Sequence, residues 1–99
     1  MTKRIRTHPG EVLREEYMKP LDLSAHQLGR LLDVPHNRVL GISKETRAVT
    51  PDTALRLARL FGTTPEYWLN MQAAHDLSKA IVESGKEVKQ NVKPLAMTG

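Results

Sequence analysis

The chain contains no cysteine. That excludes disulfide staples and thiolate metal sites, and it is compatible with a reducing compartment. Aromatic residues make up only 4%, so aliphatic helix packing must dominate any core. No apolar run approaches the roughly 20 residues of a membrane span, and there is no signal-peptide core. A soluble cytoplasmic protein with no membrane contact is expected. Catalytic constellations are missing as well. No serine lies in a Gly-x-Ser-x-Gly setting and no glycine-rich phosphate loop is present. His8, His26, His36 and His75 never recur at the four-residue spacing that sets two ligands on one helix face. Glu15 and Glu16 are neighbours, so on a helix they point in different directions. No enzyme, no catalytic residue, no metal site and no cofactor is therefore expected.

What remains is a small domain. The 99 residues are 39% hydrophobic, enough for one core with a thin margin. The formal charge is +4 and the pI about 9.7, which favours a polyanionic partner.

Residues 24–42 organise the chain as two short helices joined by a tight turn. Ser24 with Gln27 three residues on fits a capping box. Leu28, Leu31 and Leu32 then share one helical face, and Gly29 is small enough for a second helix to come close. Asp33-Val34-Pro35 breaks the run, because proline disfavours helix in its predecessor and suits a helix start. The second helix has only a narrow apolar edge, Val39 and Ile42. It must present its other faces, with His36, Asn37, Arg38, Leu40 and Gly41, to something. In a helix-turn-helix that something is the DNA major groove. Asn37 has the chemistry to pair with adenine, Arg38 with guanine, and Leu40 can touch a thymine methyl. The plain alternative is a helical hairpin with a solvated polar face.

Around this motif the chain reads in order. Residues 1–7 form a basic arm with Lys3, Arg4 and Arg6, expected to be flexible. Pro9 opens a helix running to about Met18, with Val12, Leu13 and Tyr17 toward the core. Residues 43–49 are a polar loop whose Lys44 and Arg47 are candidate phosphate contacts. Thr50-Pro51 starts a helix that Gly62 ends, and Thr64-Pro65 starts another running to about Ile81. Tyr67, Trp68, Met71, Leu77 and Ile81 on that last helix give more apolar surface than one core stripe requires. The surplus predicts a homodimer interface. Residues 82–99 turn polar, with Gly85 and Pro94, and are expected to be a flexible tail. The domain proper is thus residues 8–81.

Leu28, Leu31, Val34-Pro35, Asn37-Arg38-Val39 and Ile42 resemble the HigA-type antitoxins, a branch of the phage-repressor-like helix-turn-helix regulators. The likeness continues through Arg47, through residues 49–58, and through the block from Phe61 to Gln72 that contains Tyr-Trp-Leu-Asn-Met-Gln. Asp76-Leu77 closes it, and Pro9-Gly10-Glu11-Val12-Leu13 belongs to it too. The resemblance implies an all-α, compact five-helix lambda-repressor-like domain that dimerises through its C-terminal helix. It implies an antitoxin that neutralises a HigB/RelE-like mRNA-cleaving toxin and represses its own operon on a palindromic double-stranded operator. On that DNA, Ser24, Gln27, Lys44 and Arg47 would position the protein, while His36, Asn37, Arg38 and Leu40 would face the bases. The chain departs from the pattern at four places. Relatives usually carry glycine at Glu45 and a basic residue at Thr46, and more polar residues at Leu40 and Gly41. These changes weaken or retune the DNA surface. They keep two other readings in view: a stand-alone repressor without a toxin, and a protein-binding helical dimer whose DNA function has decayed.

Overall fold

The structure, a computed structural model, describes residues 4–96. Lys3 of the basic arm and the last three residues of the tail lie outside the described residues. Among the described residues the chain forms five helices, with no strand. The first, α1 (Pro9–Val12), continues directly as a π-helical segment, Leu13–Met18. Then follow α2 (Ala25–Leu32), α3 (His36–Ser43), α4 (Pro51–Phe61) and α5 (Pro65–Asn91).

The starts of α2, α4 and α5 are built as the sequence predicts, whereas Pro35 precedes α3 as its N-cap and the His8 side chain, accepting from Gly10 N, caps α1. Ser24 Oγ accepts from Gln27 N and Gln27 Oε1 accepts from Ser24 N, which satisfies two orphan donors of α2. Thr50 and Thr64 cap α4 and α5 with proline at the next position. Gly62 closes α4 with φ 73°, a left-handed cap that costs glycine nothing. The π-helical turn was not expected. Its wider winding places residues five apart one turn apart, so Leu13 and Met18 both reach the core.

The core is aliphatic around a single tryptophan. Leu13, Leu28, Val39, Ile42, Leu57 and Trp68 are buried to 1% exposure or less. Trp68 therefore does not belong to the surface surplus of α5: its ring lies 5.4 Å from that of Tyr17, and its Nε1 donates to Thr63 Oγ1 at 2.8 Å. Helical spacing alone could not distinguish a core stripe from an interface stripe that neighbours it. Buried Gln72 ties the loop before α4 to α5, accepting from Val49 N at 2.8 Å.

Two boundaries differ from expectation. The last helix does not stop near Ile81 but runs to Asn91. Residues 79–91 are rich in strong helix formers, Lys, Ala, Glu and Gln, and a single Gly85 costs only about 1 kcal/mol. Pro94 disfavours helix at Lys93, and Val92 is already extended. The arm is also tied down at one point. Arg6 N donates to Ser78 Oγ at 2.7 Å, and Arg6 O lies 2.7 Å from His75 Nδ1, so the backbone is held against α5 from both sides.

Candidate nucleic-acid interface

Helix α3 is clamped at both ends by glycines on its neighbours. A Cβ on Gly29 would sit 2.9 Å from Val34 O and 3.2 Å from His36 Cα, so only glycine lets α2 meet the start of α3 this closely. A Cβ on Gly10 would sit 1.8 Å from Ile42 O, so the first helix presses equally hard on the far end. Val39 and Ile42 face inward at 1% exposure. The outward stripe is then Asn37, Leu40, Gly41 and Lys44, at the i, i+3, i+4, i+7 spacing of one helical face. Asn37 and Lys44 are exposed, and Leu40 is exposed at its edge.

The loop after α3 folds back over it. Gly41 O accepts from Thr46 N at 2.9 Å, from Arg47 N at 3.2 Å and from Thr46 Oγ1 at 3.2 Å. The stem of Arg47 packs against Gly41, where a Cβ would stand 3.1 Å from Arg47 Cβ. A side chain at position 41 would crowd that stem, so glycine lets the loop lie close over the helix. Glu45 has φ 64°, the left-handed conformation that favours glycine. Its carboxylate is turned to Arg14 Nη1 at 3.3 Å, and that guanidinium also donates to Ser43 O. The added negative charge is therefore answered locally, although a half-exposed pair of this kind contributes under about 1 kcal/mol.

The remaining expected residues divide. Ser24 and Gln27 lie exposed at the start of α2, their oxygens engaged in the cap. His36 is half-buried and stacks on His26. Arg38, expected to read a base, is turned aside: Nη1 donates to Asp52 Oδ2 at 2.6 Å. The same carboxylate accepts from Arg56 Nε at 3.0 Å. Hydrogen bonds from Arg56 and then Arg38 hold the Asp52 carboxyl below its ordinary value. Sequence reasoning missed this pair because residues 38 and 52 belong to different helices with no shared period. It missed His26 for the same reason.

On α5, Tyr67, Leu77 and Ile81 are exposed to 38%, 64% and 42%, on one side of the helix. Met71 is half-buried and packs against the core. No helix among the described residues is long and apolar enough to cross a membrane.

The helix-turn-helix family matches residues 15–68. Virulence-associated protein I of Dichelobacter nodosus is 51% identical over 89 residues, covering 90% of this chain and 81% of that protein. An addiction module antidote protein of the HigA family from Coxiella burnetii superposes with a TM-score of 0.85 at 48% identity, covering 93% of this chain and all of the other. Antitoxin GraA in complex with its operator superposes with a TM-score of 0.89 at 41% identity, covering 98% of both chains.

Proposed function

Because this chain belongs to the helix-turn-helix family and, within it, to the HigA-type antitoxins, we propose that it is the antitoxin of a two-gene module: it binds and neutralises a HigB/RelE-like mRNA-cleaving toxin and represses its own operon as a dimer. The observation that carries the DNA half is the outward stripe of α3. A helix whose inner edge is fully buried and whose ends are clamped by glycine contacts presents Asn37, Leu40 and Lys44 as a fixed surface, with Gly41 beneath the Arg47 stem.

On the operator, α3 lies in the major groove. Asn37 pairs with an adenine edge and Leu40 covers a thymine methyl. Lys44 and Arg47, both exposed beside the C-terminal end of α3, neutralise phosphates without reading sequence. The exposed start of α2, with Ser24 and Gln27, offers helix-terminal N–H groups and the Gln27 amide to a further phosphate. Arg38 reaches a guanine only by leaving Asp52, so the DNA competes with an internal carboxylate for that side chain. Two copies meet through Tyr67, Leu77 and Ile81 on α5, with Met71 at the margin and Trp68 behind it in the core. A two-fold axis there sets two α3 helices on successive turns of a palindrome.

The toxin half is tested by nuclease-treated affinity capture of the tagged chain from its native host, with mass spectrometry of the native complex. A near-stoichiometric small protein whose expression alone arrests growth establishes the antitoxin reading. A homodimer without any second protein assigns the chain to stand-alone repressors.

A further inference from the structure

His26 and His36 lie on opposite sides of the turn, yet their ring centroids are 3.8 Å apart and the rings are inclined by only 23°. This is a face-to-face stack between an exposed residue of α2 and the first residue of α3. The close approach that creates it is enforced by Gly29, at which any side chain would collide with the backbone at Val34 and His36. His36 follows the capping Pro35 and precedes Asn37, so its ring stands at the end of α3 that leads into a groove. A half-buried histidine at a helix start would otherwise have more than one rotamer open to it. Here one face of its ring is covered by another imidazole, which restricts the orientations the ring can take.

We propose that His26 is a positioning residue for sequence reading. It holds the His36 ring in one orientation, so that a ring nitrogen and the neighbouring Asn37 side chain meet base edges as a unit. His26 itself makes no base contact. The inference rests on the DNA-binding reading above and adds a residue that no helical pattern singles out, since residues 26 and 36 share no period.

The test uses the full chain and two duplexes, one selected in vitro by the unmodified protein and one of random sequence at equal length. Discrimination is the ratio of the two affinities. His26→Ala is expected to lower that ratio about 3- to 10-fold, the size of one aromatic contact, with the thermal midpoint and the random-duplex affinity little changed. His26→Phe keeps a stacking face and is expected to restore most of the ratio. In a His36→Ala background, His26→Ala should do nothing more. The proposal is overturned if His26→Ala leaves the ratio unchanged, or if the two alanine effects add, since additivity means that His26 touches DNA independently. If the unmodified protein selects no sequence at all, the DNA-binding reading falls and this inference with it. That outcome is distinct from the previous two, in which the reading survives.

Discussion

The first four helices and the far half of α5 are stabilised by different means. Helices α2, α3 and α4 are eight to eleven residues long, too short to persist alone in water. Packing holds them: Leu28, Ala54, Leu57 and Trp68 have no exposed surface at all. Residues 79–91 have the opposite character. All but Gly85 are exposed, among them Ile81, Val82 and Val88 at 42%, 45% and 52%. There the helix rests on propensity rather than burial. Tyr67, Ala74, Ile81 and Val88 recur every seven residues, the period of a seam between two helices. A region that folds by burying itself needs no partner; one that shows an apolar seam while standing free is shaped for one.

The largest effect should come from breaking the packed half. Trp68→Ala is expected to cost about 3–5 kcal/mol in chemical denaturation, whereas Ile81→Ala should cost under about 1 kcal/mol at concentrations where the chain is monomeric. Equal costs would abolish the distinction. Next in size, Leu77→Asp with Ile81→Asp should convert the proposed dimer to a monomer in sedimentation while the near-UV signal of buried Trp68 persists. Hydrogen exchange should then lose protection over residues 79–91 alone.

A third prediction concerns acid. Burial first, and the neighbouring His75 second, lower the His8 pKa from its ordinary 6.5. His8 is buried in the packed half, where its Nδ1 accepts from Gly10 N at 2.8 Å. Below pH 6.5 the unfolded chain takes up a proton that the folded chain resists, so stability is full above that value and falls as pH drops toward the folded pKa. Denaturation midpoints measured from pH 7.5 to 5 should show this decline, and His8→Asn should flatten it. The smallest effect belongs to Glu45→Gly. It removes a left-handed strain of about 1 kcal/mol and loses the weak pair with Arg14, for a net stabilisation below about 1 kcal/mol. The loss of one negative charge near Lys44 should also raise affinity for any duplex slightly.

Much of the packed half was legible in the sequence. The Ser24–Gln27 box, the Thr-Pro starts of α4 and α5, Gly62 and the leucines of α2 are local signals whose physics acts within one turn of helix. Gly29 was legible as a close approach for the same reason. What was hidden depends on residues far apart in sequence. Arg38 could be read as free because nothing local reports Asp52 fourteen positions on. His26 gave no signal because stacking across a turn has no period. Trp68 was misplaced because α5 is apolar on two adjoining faces, and only the packed partner decides which is inside. The far half of α5 was read as tail because its polar composition suits solvent; the same residues are good helix formers. Glu45 shows the reverse case. Its departure from glycine was visible, and the φ of 64° with the Arg14 contact shows how the chain accommodates it.

Fluorescence anisotropy on the selected and random duplexes across a salt series tests the reading of DNA by α3 through Asn37, with Lys44 holding phosphate alone. Affinity should fall steeply with salt. Asn37→Ala should remove about 1–3 kcal/mol of discrimination at an unchanged slope, and Lys44→Ala should lower the slope by about 1 with discrimination intact. Equal affinity of the unmodified protein for both duplexes at every salt concentration would contradict that reading.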